Sequence, residues 1–162
     1  MKKLNKTIIF VLISSMFFVM SLTSCGDKSG NTIDEPEITS DYLHGEYAEQ
    51  LITDGAETML GYVDISKDGD TYMVHISEQE VVPNSDYDEG YYIADTNLAK
   101  DVSLGFDARI VCEEDGEQEV VTADDFIENQ ADDEKELYTV YLMGDSAELI
   151  MATEPEDVIT EE

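Results

Sequence analysis

The chain has 162 residues and carries 39 acidic against 8 basic side chains, which gives a formal net charge of −31. This charge argues against nucleic acid as a partner, because proteins bind the phosphate backbone through lysine and arginine. It argues equally against electrostatic adhesion to anionic lipid, and the length is that of a single domain.

The first 24 residues have the three parts of a secretory signal. Lys2, Lys3 and Lys6 form the positive region, an apolar run covers residues 8–20, and small residues follow it. The apolar run is shorter than the roughly 20 residues that a membrane-spanning helix needs. A plain N-terminal membrane anchor is therefore the less favoured alternative to a cleaved leader.

The leader ends in Leu22-Thr23-Ser24-Cys25, and this motif resembles the lipobox of bacterial lipoproteins at every position. The resemblance implies cleavage before Cys25 and a thioether-linked diacylglycerol on its sulfur. A protein modified in this way stays at a cell membrane or cell surface on the extracytoplasmic side, with membrane lipid as a partner. Without the three lysines of the leader, the net charge of −31 becomes −34.

Composition divides the remainder into a lipid site with a flexible tether (residues 25–40), one strand-rich domain (residues 41–153) and an acidic tail expected to fray (residues 154–162). Cys112 is then the one cysteine of the domain, so no intrachain disulfide forms. The neighbouring Glu113 and Glu114 would raise the pKa of its thiol, which predicts a buried structural cysteine and not a nucleophile.

A helical stripe opens the domain. Leu43, Tyr47 and Leu51 recur at every fourth position, which predicts a short helix within residues 41–53, with Ser40 or Asp41 as its N-cap. Gly45 weakens the helix, and a strand through residues 48–53 is the alternative.

From residue 58 onward, alternating apolar and polar residues predict strands. We expect them at 59–65, 71–77, 90–94, 101–104, 108–112, 118–121, 137–143 and 147–153. Asp68-Gly69 between the first two runs is a hairpin signal, hairpins are also expected about Gly116 and Gly144, and Asp95-Thr96-Asn97 predicts a turn. Thr122 is predicted to cap a helix at 123–130.

The order strand, strand, strand, helix, strand, strand is that of an OB-like barrel, and a compact β-sandwich is the alternative. We expect a mainly β chain with one or two short helices. Three segments of the body carry a further resemblance: Gly90-Tyr91-Tyr92-Ile93-Ala94-Asp95-Thr96-Asn97, Phe106-Asp107-Ala108-Arg109-Ile110 and Thr122-Ala123-Asp124-Asp125-Phe126. Over about half of the chain, the body resembles small uncharacterised surface lipoproteins of gut-dwelling Gram-positive bacteria. This resemblance supports the same barrel and implies no activity.

Two acidic clusters are candidate calcium sites, because hard cations bind several oxygen ligands around a tight bend. Asp64 and Asp68 belong to residues 64–70, which match the start of a calcium loop but lead to His75 where a bidentate glutamate is required. Asp86 and Asp88 belong to a second oxygen-rich loop. A hairpin turn and chance grouping are the alternatives, so we predict no cofactor and keep calcium as the exception to test.

The sequence contains no strong catalytic signature. His44 and His75 fit no zinc-ligand spacing, and His75 is predicted on an outward strand face. No Gly-x-Ser-x-Gly turn is present to place a serine nucleophile, and carboxylate pairs are too frequent here to identify a glycosidase. We therefore predict that the protein is not an enzyme.

Tyrosines are the remaining feature, and they either fill the core or present a ligand face. Those on predicted strands are Tyr62, Tyr72, Tyr91, Tyr92, Tyr138 and Tyr141. Alternation puts Tyr91 and Tyr92 on opposite faces, so they are candidate ligand-binding residues. The sequence predicts a lipid-anchored, non-catalytic binding or structural domain, with another envelope protein or a glycan as candidate partner. A calcium-dependent binding module and a hydrolase of envelope or glycan substrates are the alternatives.

Overall fold

Strands make up most of the described chain. The computed structural model describes residues 38–114, 116–130 and 135–160, so the predicted leader, lipobox and tether up to residue 37 lie outside the described residues. The strands are β1 (Glu57–Asp68), β2 (Thr71–Pro83), β3 (Tyr91–Glu114), β4 (Glu117–Val121), β5 (Tyr138–Met143) and β6 (Ser146–Ala152). The helical segments are α1 (residues 40–53), α2 (Ala123–Asn129) and α3 (Pro155–Thr160). No helix within these ranges has the length and apolar character needed to cross a bilayer.

Five of the strands close a ring. The sheet order is β2-β1-β5-β6-β3-β4. An additional pairing of β2 with β3 closes the first five strands of this order into a ring, and β4 lies outside it, paired with β3. Within the described strands β3 and β6 run parallel, while the other pairs are antiparallel. This ring, with α2 between the third strand and the final hairpin, is the OB-like barrel predicted from the sequence.

Two hairpins of the ring turn at glycine. Asp68 pairs with Thr71 and Met143 pairs with Ser146, which leaves two residues in each turn. The first residue of each turn is a glycine with positive φ, 62° at Gly69 and 64° at Gly144. A two-residue turn of this kind matches the twist of the flanking strands, so these two predicted hairpins are confirmed. The pairing of Glu114 with Glu117 confirms the third, about Gly116.

The prediction of separate strands at 90–94, 101–104 and 108–112 was wrong, because β3 is one strand of 24 residues. The expected turn at residues 95–97 is an irregularity within that strand. Asn97 adopts φ 59° while its N–H donates to Asp95 Oδ1 at 2.7 Å, and Thr96 Oγ1 donates to the Glu78 carbonyl at 3.1 Å. These local bonds satisfy the turn-forming residues without reversing the chain, because pairing with β2 keeps β3 extended on both sides of them.

The barrel interior is filled by aliphatic side chains from alternate strand positions. Phe126 of α2 packs edge-on against Tyr138 of β5, with ring centroids 5.6 Å apart. Thr122 caps α2 as predicted, because its Oγ1 accepts from the Asp125 N–H at 3.2 Å. The buried members are Val63, Ile65, Val74, Ile76, Val102, Ile110, Phe126, Tyr138, Val140, Leu142, Ala147, Ile150 and Ala152.

A second core forms where α1 packs on the outside of the barrel. Its buried residues are Leu43, Ala48, Leu51, Val111, Tyr141, Leu149 and Met151. The predicted helix is confirmed, although its central residues Leu43–Tyr47, which include Gly45, form a π-helical turn. The predicted N-cap was wrong: Thr39 Oγ1 accepts from the Tyr42 N–H at 3.2 Å, one position before Ser40.

The acidic tail was predicted to fray, but residues Pro155–Thr160 form α3. Proline suits the first helical position, and Glu156 and Asp157 lie in the first turn, where negative charge is favourable. α3 contacts β2, and the Tyr91 hydroxyl makes a long hydrogen bond to Glu156 Oε1 at 3.4 Å, so α3 lies beside the β2–β3 hairpin.

Candidate functional site

The β2–β3 hairpin extends beyond the ring. Pairing of β2 with β1 ends at Glu78, and pairing with β3 continues from Gln79 opposite Asp95 to Pro83 opposite Tyr91. We call this two-stranded extension, residues 79–95, the arm. It starts at the irregularity between Ser77 and Gln79, where the change of register turns the strand out of the ring.

Main-chain hydrogen bonds define the tip of the arm, residues 84–90. The Asn84 N–H donates to the Gly90 carbonyl at 2.7 Å, the Tyr87 N–H to the Asn84 carbonyl at 3.2 Å, and the Gly90 N–H to the Tyr87 carbonyl at 3.0 Å. The Asp86 N–H also donates to Asn84 Oδ1 at 2.9 Å. These bonds fix the backbone that carries the tip side chains.

Tyr87 and Tyr92 meet on one face of the arm. Their ring centroids are 5.4 Å apart with planes inclined at 33°, and the residues are 54% and 37% exposed. Val82, which pairs with Tyr92 across the strands, is half-buried beside them. We call Tyr87, Tyr92 and Val82 the tyrosine face.

The opposite side of the arm carries Val81, Tyr91 and Ile93. Val81 is buried, the other two are half-buried, and Tyr91 bonds to Glu156 of α3. Desolvation, followed by the carboxylates of Glu156 and Glu89, raises the pKa of the Tyr91 hydroxyl, which keeps it protonated as a donor. Tyr91 and Tyr92 therefore lie on opposite faces as predicted, and Tyr92 is the exposed one.

The arm is uniformly acidic. Between residues 76 and 99 the chain has no lysine, arginine or histidine. Its acids there are Glu78, Glu80, Asp86, Asp88, Glu89 and Asp95, and all but Glu78 are exposed. The tyrosine face is thus set among negative charges that no basic residue of the same segment neutralises.

The structure separates the two candidate calcium clusters. Asp64 and Asp68 lie on β1, where the hairpin alternative is confirmed, while Asp86 and Asp88 lie in the tip of the arm. In the part of the chain that the structure describes, no group of three or more His, Cys, Asp or Glu residues is arranged to hold a metal ion. Calcium binding at Asp86 and Asp88 stays an untested alternative to the prediction of no cofactor.

A Ser-His-Asp set lies on the outer face of the barrel. His75 Nδ1 is 2.7 Å from Asp101 Oδ1, and its Nε2 is 3.5 Å from Ser77 Oγ. This order of groups resembles that of a hydrolase triad. However, the His75 and Asp101 side chains are 45% and 74% exposed, and 3.5 Å is long for a hydrogen bond. The geometry is that of an exposed hydrogen-bonded pair on the surface, which contributes little to stability.

A cavity of about 530 Å³ lies between α2, β1 and the β3–β4 hairpin. The Tyr138 hydroxyl donates to Glu136 Oε2 at 2.5 Å and lies 3.9 Å from Cys112 Sγ. Burial raises the pKa of Tyr138 and of Cys112, and for Cys112 the nearby Glu136 and Glu114 act in the same direction. Cys112 is half-buried rather than buried as predicted, and its raised pKa disfavours the thiolate needed for nucleophilic chemistry.

The arm carries more of the predicted site residues than the other two places. Tyr92, Asp86 and Asp88 were singled out in the sequence, whereas Tyr87 was missed because it lies outside any strand pattern. An aromatic residue between two aspartates in a polar turn is the signal that would have found it. Comparisons of the chain with models of protein families, with curated proteins and with solved structures found no match.

Proposed function

We propose that this protein is a lipid-anchored, extracytoplasmic lipoprotein whose OB-like barrel is a non-catalytic binding domain. The observation that carries the binding role is the tyrosine face, a pair of exposed aromatic rings held at the end of a fixed hairpin. The anchor is supported by Leu22-Thr23-Ser24-Cys25 at the end of the apolar leader.

Position in the fold supports a binding role for the arm. OB-like barrels bind oligomeric ligands on the face of their second and third strands and with the loops of their first and last hairpins, and the analogy here, at the level of the fold, concerns the two strands. Here the second and third strands are those that extend into the arm. Exposed aromatic groups of this kind are typical of interaction sites, because burying tyrosine on a partner gains apolar area at a low cost in side-chain entropy.

The lipid anchor is tested by metabolic labelling with an alkyne fatty acid and by fractionation of bacterial cells. We expect the full chain to be labelled and to sediment with membranes. Cys25→Ala should lose the label, whereas Cys112→Ala, the matched control at the second cysteine, should keep it. Equal labelling of the Cys25→Ala variant would contradict the proposed anchor.

The binding role is tested in cells with a photo-cross-linking amino acid placed at Tyr87 or, as a control, at Phe106. Phe106 is fully exposed and lies outside the arm, so the control probe is at least as accessible as a probe at Tyr87. We expect a discrete adduct from position 87 and none of the same mass from position 106. Adducts that are absent or identical at the two positions would oppose a binding role for the arm.

A further inference from the structure

The tyrosine face is the exposed side of the arm, whose other side packs against the rest of the domain. One side of the arm packs against α3, where Tyr91 bonds to Glu156. The other side leaves Tyr87 and Tyr92 54% and 37% exposed. Since main-chain bonds fix the tip, a ligand would find the two rings already in place, which lowers the entropic cost of binding.

The chemistry of this face favours a cation. The faces of tyrosine rings carry negative partial charge and attract ammonium and guanidinium groups. The surrounding charges have the same sign, because Glu80, Asp86 and Asp88 are exposed and the arm contains no basic residue. An anionic or strongly electron-rich ligand would therefore be repelled, whereas a basic one is attracted by rings and carboxylates together.

The barrel itself shows how such a set of groups holds a cation. The Lys67 ammonium lies 4.7 Å from the centroid of the Tyr72 ring, 2.8 Å from its hydroxyl and 3.0 Å from Asp124 Oδ1. The hydrogen bonds to Tyr72 and then to Asp124 raise the pKa of Lys67 to about 12. Tyrosine and aspartate thus accommodate a lysine of the same chain there, and the arm offers the same groups without a lysine of its own.

We infer that the tyrosine face of the arm binds a lysine- or arginine-rich segment of another protein. The inference rests on the proposed binding function and specifies its partner. A basic side chain stacks on Tyr87 and Tyr92 and pairs with Asp86 or Asp88, and arginine fits best because its planar guanidinium can stack and donate at once.

The test is fluorescence anisotropy of a labelled octapeptide of alternating arginine and glycine, titrated with the full chain in uncharged detergent micelles. At about 0.15 M salt, charges are screened beyond about 8 Å, so the distant acids of the chain contribute little. We compare Y87S/Y92S with Phe106→Ser, since neither changes the net charge and all three rings are exposed. The double variant should bind about fivefold to tenfold more weakly, and the control within twofold of the parent.

A second pair of variants separates local from general attraction. Asp86→Asn with Asp88→Asn removes two charges at the tip, and Glu46→Gln with Glu49→Gln removes two exposed charges on α1. The tip variant should bind the peptide at least threefold more weakly than the α1 variant. Thermal melts of all variants check that the fold is retained.

Equal binding by Y87S/Y92S and by the parent chain would overturn the inference, because it would assign binding to the general negative charge. Equal weakening by the two charge variants would have the same meaning. If the cross-link at position 87 forms in cells but the basic peptide does not bind, the inference fails while the proposed function stands.

Discussion

The side chain of Gln130 completes the hydrogen bonding of β1. On the side facing β5, β1 is paired from Glu57 to Gly61, so the following residues extend past the partner strand. The Ile65 N–H donates to Gln130 Oε1 at 2.9 Å, and the Ile65 carbonyl accepts from Gln130 Nε2 at 2.8 Å. The Gln130 side-chain amide, just after α2, thus makes the two hydrogen bonds that a neighbouring strand would make, and it links α2 to the barrel.

We expect Gln130→Ala to lower the free energy of unfolding by about 2–3 kcal/mol. A typical intramolecular hydrogen bond contributes about 1 kcal/mol net, and a polar group left partly buried without a partner costs somewhat more. Ile65 is buried and Gln130 is half-buried, so water that replaces the amide recovers some of the loss. We therefore assign about 1–1.5 kcal/mol to each of the two bonds. For a domain of this size, the loss corresponds to a melting temperature about 8–12 °C lower.

Urea and thermal unfolding followed by circular dichroism measure the effect. Gln118→Ala is the matched control, since Gln118 is on β4 and its exposed Nε2 contacts His44 at 3.3 Å. That control should change the unfolding free energy by less than about 0.5 kcal/mol. If Gln130→Ala unfolds within that margin of the parent, the amide does not act as a substitute strand.

Further expectations concern glycines, the free thiol and ions. A Cβ at Gly61 would overlap the Ser77 carbonyl, so Gly61→Ala should destabilise the fold by about 1–3 kcal/mol. Gly45 has open space around it, so Gly45→Ala should stabilise the fold by about 0.5–1 kcal/mol. Changes of the opposite sign in urea unfolding would refute these expectations. Burial raises the pKa of Cys112, so alkylation of the native thiol should lag behind that of the unfolded thiol near pH 8 to 9, and equal rates would contradict the shift. Stability should fall as pH rises from the unfolded pKa of this thiol to its higher native pKa. Added NaCl should raise the melting temperature by screening the charge of −31, and a fall would oppose that account. Calcium and EDTA at matched ionic strength should give equal melting temperatures, whereas a rise of several degrees in calcium would establish Asp86 and Asp88 as a site.

The sequence determined the features that depend on neighbours along the chain. Alternation of apolar residues located β1, β2, β5 and β6, and glycines between these alternating runs located the β1–β2 and β5–β6 turns. Thr122 marked the start of α2 because capping involves residues three positions apart. The order of these elements favoured an OB-like barrel, with a compact β-sandwich as the alternative, and the closed ring of five strands decided between them.

Only the tertiary structure decided the features that depend on register between strands. Residues 95–97 carry a turn signal, yet β2 lies alongside and keeps β3 extended through them. The same pairing carries Tyr92 to the ring of Tyr87 across the tip and sets Asp101 opposite His75. Contacts of this kind require two strands that are distant in sequence to pair in one particular register. A shift of that register by one residue would turn every side chain of the strand to the other face of the sheet. The sequence therefore predicted only part of the site. Tyr92, Asp86 and Asp88 were identified from it, whereas the contact between the Tyr87 and Tyr92 rings and the packing of α3 beside the arm depend on the tertiary structure.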